Sequence, residues 1–252
     1  NDAVVLSQDT TLTGTTSVDF ATTLDSDATA RDVTLNSPTT MFHGIVGGTS
    51  PLDVLTTDAA GTTTIDTTAV TGAVLDFNDD VVTTVGSTLT GTTLIDFAAG
   101  KSLTIGDAAA EALTVVGATA NFNGTVDSGA TFANDLTVNA TNALFGDQVG
   151  NKAFGALGTL WTDSAGTTTL STDVVTGDTL NFDDDVVTTV ASTLTGTTLV
   201  DFAAGKSLTI GDAAAEALTV VGATADFNGT VDSGATFANN LTGNAPTTMF
   251  HA

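Results

Sequence analysis

VVTTVGSTLTGTTLIDFAAGKSLTIGDAAAEALTVVGATANFNGTVDSGATFANDLTVNA, residues 81–140, returns at 186–245 with five changes: Gly86/Ala191, Ile95/Val200, Asn121/Asp226, Asp135/Asn240 and Val138/Gly243. The offset is 105 residues (186 − 81). Self-similarity at a fixed period marks a repeat architecture, so it is read before any single motif. A third, older copy opens the chain. Asn1-Asp2-Ala3-Val4-Val5 matches Asn78-Asp79-Asp80-Val81-Val82, and Thr11-Leu12-Thr13-Gly14 matches Thr88-Leu89-Thr90-Gly91, both at an offset of 77. Met41-Phe42 then matches Leu144-Phe145 at 103, so the first copy lacks 26 residues (103 − 77).

That gap discriminates between folds. A β-sandwich domain of ~100 residues rarely survives the loss of two strands of its Greek key. A solenoid loses one coil and closes up, because each coil contacts only its neighbours. The expected fold is therefore all-β, a β-solenoid, with tandem β-sandwich modules as the alternative. The repeat divides the chain into 1–80, a divergent first copy short of about one coil plus the start of the second; 81–185, a full repeat; and 186–252, a partial one. A coil of about 26 residues gives four per repeat, and one of about 21 gives five. Pro246-Thr247-Thr248-Met249-Phe250-His251 reproduces Pro38-Thr39-Thr40-Met41-Phe42-His43, so the array is expected to continue beyond Ala252.

Composition agrees with strands. Threonine and valine dominate, and β-branched residues suit a pleated sheet. Glu111 and Glu216 are the only glutamates; the other 27 acids are aspartates, which favour turns. Strands are expected at 62–66, 74–77, 81–85, 92–97, 102–105, 112–116, 118–122, 130–133 and 135–138, with partners 105 residues on. Turns are expected at 58–61, 98–100 and 127–129, and one helical turn at 107–112. The candidate core is Ile65, Leu75, Phe77, Val82, Leu89, Phe97, Leu103, Ile105, Leu113, Val115, Phe122, Phe132 and Leu136.

The formal charge of −25, from 29 acids against 4 lysines and arginines, repels nucleic acid and anionic membranes. It attracts divalent cations. No apolar run reaches the ~18 residues of a spanning helix. An apolar fraction of 41% placed at regular intervals argues against disorder.

Phe42, Val46-Gly47-Gly48, Leu55-Thr56-Thr57-Asp58-Ala59-Ala60-Gly61-Thr62-Thr63-Thr64 and Asn78-Asp79-Asp80-Val81 resemble the β-strand repeats of filamentous-haemagglutinin-like giant bacterial surface proteins. Thr88-Leu89-Thr90-Gly91-Thr92-Thr93 and Phe122-Asn123-Gly124-Thr125-Val126 look like the same repeat type. The resemblance implies a secreted, structural segment at the cell surface, of adhesin, fibre or coat type, with no catalytic residues. Its expected partners are copies of itself or neighbouring repeats.

Each candidate site has a plainer reading beside it. Gly100-Lys101-Ser102 ends like a phosphate loop, but the first glycine such a loop needs falls at Ile95, and at Val200 in the second copy. His43 and His251 are equivalent, yet the intervening copy has Gly146, which argues against catalysis or zinc. Asp76, Asn78, Asp79 and Asp80, recurring around Asp183, Asp184 and Asp185, offer hard oxygen ligands at the close spacing that suits calcium. The EF-hand pattern fails because Val81 stands where its glycine belongs. The plainer reading is a solvated turn. Rows of threonine (Thr11–Thr13, Thr88–Thr90, Thr193–Thr195) raise ice binding, which requires one fixed coil position. A polysaccharide-cleaving solenoid needs clustered basic residues, and four cationic side chains argue against it. The sequence is thus expected to be non-catalytic and structural, with a binding module for calcium, glycan or ice as the alternative.

Overall fold

The computed structural model describes residues 2–106, 108–129, 131–151 and 155–251. Among them there is no helix. All strands pair in parallel, and the chain winds into a β-solenoid of about 11 turns. Tandem sandwiches are thereby replaced by one continuous stack. At ~4.8 Å per rung the rod is about 50 Å long.

Three faces run its whole length. On face I one column of paired residues passes from Val4 through Leu24, Val46, Val70, Leu89, Val115, Val138, Thr162, Phe182, Phe202 and Phe227 to Phe250. On face II a column passes from Thr10 through Val33, Leu55, Leu75, Ile95, Ala120, Ala143, Thr168, Val186 and Leu208 to Val231. Face III carries Val18, Thr40, Thr63, Val81, Leu103, Val126, Val149, Val175, Leu194, Val220 and Gly243. Each rung visits the faces in the order I, II, III. Long strands such as Ser87–Phe97 and Ser192–Phe202 bend round a corner and serve two faces.

The steps along the face I column vary from 19 (Val70 to Leu89) to 26 (Leu89 to Val115), and 246 residues make eleven steps, about 22 per coil. Neither 21 nor 26 is therefore the coil length; loops of different size absorb the variation. This has a consequence for the repeat. Phe77 lies on face II, and Phe97, Phe122, Phe145 and Leu170 follow in its column, four turns later. Its equivalent, Phe182, lies on face I, two faces further along the winding. A repeat of 105 residues thus advances four coils and two thirds. The first copy, from Val4 on face I to Val81 on face III, advances three coils and two thirds. Its deficit is one whole coil, which leaves the phase unchanged.

Each repeat therefore hands its features to a new face. Phe20 and Phe42 stack on face III (5.5 Å); Phe77, Phe97, Phe122 and Phe145 stack on face II (4.9–5.3 Å); Phe182, Phe202, Phe227 and Phe250 stack on face I (4.8–5.3 Å). Near-parallel rings at this spacing contribute about 0.5–1.5 kcal/mol per pair beyond burial. Corner glycines rotate likewise. Gly91 and Gly117 pair at the corner between faces I and II, where a Cβ on Gly117 would sit 2.4 Å from the Gly91 carbonyl oxygen. Gly196 and Gly222 repeat this between faces III and I, at 2.3 Å.

Inside and outside alternate along most strands. In Ser87–Phe97, Leu89, Ile95 and Phe97 point into the core, and Thr88, Thr90 and Asp96 point out. Most of the expected core is buried, with two exceptions. Val82 faces outward while Val81 and Thr83 are buried, a slip of one residue in the alternation. Phe132 is 44% exposed, on a loop. The expected turn at 127–129 is largely strand, Thr125–Ser128, because the next coil folds over it. The expected strand at 130–133 is absent from the described part, 131–133; Ala130 lies outside the described residues. Residues 108–112 form a tight turn through a left-handed Ala110 (φ 66°), not a helix, and Asp107 lies outside the described residues.

Candidate functional site

The aspartates of the 76–80 cluster leave the chain in different directions: Asp76 lies on the strand Ala69–Phe77, Asp79 at the bend after it, and Asp80 at the start of the strand Asp80–Thr83. Asp79 is buried between two coils. Its Oδ1 accepts the Thr57 hydroxyl (2.7 Å) and its Oδ2 accepts the Thr63 hydroxyl (2.8 Å). Thr57 in turn accepts the backbone amide of Asn78 (3.0 Å). Asp80 points along the next coil, where its Oδ1 accepts the amide and hydroxyl of Ser102 (2.8 and 2.9 Å). Asp76 lies in an outward row with Asp96 and Asn121.

The second copy repeats the arrangement two faces further along the winding, between faces I and II. Asp184 accepts the hydroxyls of Thr162 and Thr168, both at 2.7 Å. Asp185 accepts the Ser207 amide and hydroxyl (2.7 and 2.8 Å). Asp183 accepts the Trp161 indole N–H (2.7 Å). Burial pushes Asp79 and Asp184 above the usual carboxylate range, against the opposing pull of the threonine hydroxyls. The Ser207 amide holds Asp185 below it.

The structure therefore does not bring Asp76, Asn78, Asp79 and Asp80 together, nor Asp183, Asp184 and Asp185. Among the described residues no group of three histidine, cysteine, aspartate or glutamate side chains has a geometry that could hold a metal ion. Asp79, Asp183 and Asp184 are bonded to the preceding coil, and Asp80 and Asp185 to the following one.

The two histidines belong to outward acidic rows. His43 Nδ1 lies 2.9 Å from Asp66, and its Nε2 lies 3.6 Å from Asp19. His251 Nε2 lies 3.0 Å from Asp226. His43 holds Asp66 below the usual range, with help from the Thr84 hydroxyl. Both nitrogens of His43 face carboxylates. Gly146 follows the same logic. Met41, Leu144 and Met249 pair with Asp19, Asn121 and Asp226 in the preceding coil. Histidine follows two residues later where the partner is aspartate, and glycine where it is asparagine. That pattern is visible in the sequence once the coil register is known.

The Asn121/Asp226 change also alters a neighbour. Asp96 accepts amide N–H groups from Asn121 and Asn123 (both 3.0 Å). Its counterpart Asp201 keeps the bond from Asn228 (2.9 Å) but faces the Asp226 carboxylate. Burial first, then Asp226 and Asp183, push Asp201 up.

Lys101 Nζ donates to the Ala59 carbonyl (2.6 Å), and Lys206 to that of Ser164 (2.5 Å), each reaching back 42 residues to tie down a bend. Gly100 precedes Lys101 with φ 72°, a left-handed turn. A cleft of about 290 Å³ is lined by Thr188, Thr189, Thr209, Gly211, Asp212 and Glu216. The Glu216 carboxylate is taken up by the Ala213 amide (2.7 Å).

Comparison with known proteins returned no matching family model, no matching curated protein and no matching solved structure.

Proposed function

We propose that this chain is a non-catalytic, structural β-repeat segment of an extracellular surface, fibre or matrix protein, self-associating or part of a longer array. One observation carries the reading. A single stack of three parallel faces runs through the described chain, and its chemistry-bearing side chains bond from coil to coil: Asp79 and Asp184 to threonines, Asp80 and Asp185 to serines, Lys101 and Lys206 to carbonyls. Such bonds make a rod. The resemblance to filamentous-haemagglutinin-like repeats and the acidic composition support a place at the cell surface. The binding alternative gains less support. Thr11–Thr13, Thr88–Thr90 and Thr193–Thr195 lie on faces II, I and III, so they form no single flat row for ice.

Single-molecule stretching tests the load-bearing role. A rod of stacked coils lengthens in steps near 22 residues, about 75 Å of contour each at ~3.4 Å per residue. Screening against polysaccharides and esters tests the rest. Turnover abolished by His43→Ala would overturn the reading.

A further inference from the structure

We propose that face I carries a binding subsite for a neutral saccharide, with the Trp161 ring as the platform for the apolar C–H face of one pyranose unit. The inference goes beyond the structural reading, since a rod holds such a site whether or not it self-associates.

Trp161 is the only tryptophan of the chain. On the strand Leu157–Thr162, Leu160 and Thr162 are fully buried and Trp161 between them is partly exposed, so its side chain is on the outward side. Phe122, Phe145, Phe182 and Phe227, by contrast, are buried inside the rod. The indole is held by its edge. Its Nε1–H donates to Asp183 (2.7 Å). The Asn181 amide, oriented so that its nitrogen donates to Asp201 (3.1 Å), presents its oxygen to the same N–H (3.1 Å). A ring fixed in this way loses little rotational freedom when a ligand settles on it, which lowers the cost of binding.

The patch departs from the repeat as a unit. At the offset of 105 residues, Trp161 stands at the place of Thr56, Thr159 at that of Val54, Asn181 at that of Asp76 and Asp183 at that of Asn78. The pairings put these residues together. Trp161 is laterally adjacent to Asn181, Thr159 precedes Trp161 by two residues on the same strand, and Asp183 follows Asn181 by two. The buried positions between them are unchanged: Leu160 matches Leu55, and Thr162 matches Thr57. The differences therefore serve the surface and leave the core as it was.

The chemistry selects the ligand. Trp161 lies between Thr137 and Asn181 of the neighbouring coils, ~4.8 Å to either side, with Thr159 ~7 Å back along its own strand. An aromatic face with hydroxyl and amide groups beside it suits a pyranose: the ring takes the C–H face, and the polar groups exchange hydrogen bonds with the sugar hydroxyls. An organic cation also favours an indole face. Here, however, the carboxylate that flanks this position in the other copy, Asp76, is the neutral Asn181, and Asp183 is engaged by the indole N–H. Farther along the same outward row come Asp201 and Asp226 in one direction, and Thr137, Thr114 and Thr88 in the other. The carboxylates repel acidic sugars. Further units of a glycan chain extend over the threonines.

The lone tryptophan makes the test direct. Titrating the full chain with neutral oligosaccharides of glucose, mannose and N-acetylglucosamine is expected to change Trp161 fluorescence saturably at ~0.1–10 mM for at least one of them. Added salt is expected to leave that affinity unchanged. Polyuronides and sulfated glycans are expected not to saturate. Trp161→Thr installs the residue that the repeat itself carries at Thr56, so the variant is expected to stay folded by circular dichroism. Its affinity, read by calorimetry, is expected to fall about tenfold or more. The fluorescence titration of the unaltered chain stands even if that variant fails to fold. Absence of saturation with every neutral glycan would overturn the proposal, and so would equal affinity in folded Trp161→Thr. Saturation by tetramethylammonium in place of sugars, weakened by salt, would overturn it in favour of a cation site. None of these outcomes bears on the load-bearing role, which the stretching experiment tests separately.

Discussion

Thr125–Ser128 and Thr230–Ser233 have the same sequence, Thr-Val-Asp-Ser, and the same place in the repeat, but not the same surroundings. In the first, Val126 is 1% and Ser128 4% exposed; in the second, Val231 is only partly buried and Ser233 is exposed. The difference lies one coil away. Above the first strand, the Val126 amide donates to Gln148 and the Ser128 amide to Gly155. Order in this molecule therefore belongs to the stack rather than to the segment, as expected of a quasi-one-dimensional protein.

The hardest way to break that comparison is to disturb the winding. Leu113 pairs with Leu136, so residues 113–135 are one full coil. Deleting them brings Leu136 into Leu113's place, and the variant is expected to remain folded by circular dichroism with a cooperative melt. A block of 113–138 overshoots the coil by three residues and is expected to be less stable. Deleting 113–124 stops half a coil short, puts face III residues on face I, and is expected to abolish the cooperative transition.

Substitutions in the ring stacks sharpen the contrast. Phe122, fully buried between Phe97 and Phe145, is expected to lose about 3–5 kcal/mol on Phe122→Ala. Phe250→Ala, at a ring stacked only on Phe227 and 63% exposed, is expected to lose well under half of that in denaturant melts. Equal losses would contradict the stack.

The buried aspartates come next. Asp79→Ala leaves the Thr57 and Thr63 hydroxyls without their acceptor and is expected to cost about 1–3 kcal/mol. Asp79→Asn keeps one acceptor oxygen and is expected to be near neutral. The pH response has a definite sign. An aspartate whose folded pKa is raised binds more protons in the native state than in the unfolded one. Stability from Asp79 and Asp184 therefore falls as pH rises from the ordinary value of 3.8 through their higher folded values. Melting temperatures are expected to rise on acidification toward pH 4, and the slope is expected to shrink in the double variant Asp79→Asn/Asp184→Asn. A slope of opposite sign would show that surface pairs such as Asp66–His43 dominate.

A smaller gain is expected at two hydroxyls. Among the described residues, Thr83 and Thr188 are fully buried and their Oγ1 atoms have no hydrogen-bond partner. Thr83→Val and Thr188→Val remove that cost and are expected to raise stability by about 1 kcal/mol each.

Much of this was legible in the sequence. Duplication at 105 residues and the gap in the first copy pointed to a solenoid, and Phe77, Phe97 and Phe122 were readable as core. The phase between repeat and coil was not. It depends on how many residues each corner loop consumes, and only cross-coil pairing fixes that. The Val82 slip has a similar origin: in Val81-Val82-Thr83, two β-branched apolar residues precede a threonine that goes inside, so the alternation gives no local signal. The acidic clusters depend on the same register. Asp79, at the bend before the strand Asp80–Thr83, bonds to the preceding coil and Asp80 to the following one.

Residue-resolved hydrogen exchange on dilute protein, where copies stay apart, tests the stack most directly. The amides of Val126 and Ser128 are expected to exchange slowly, close to the rate of global unfolding, and those of Val231 and Ser233 orders of magnitude faster, although the two tetrapeptides are identical. Equal protection at both sites would contradict a fold whose order comes from the neighbouring coil.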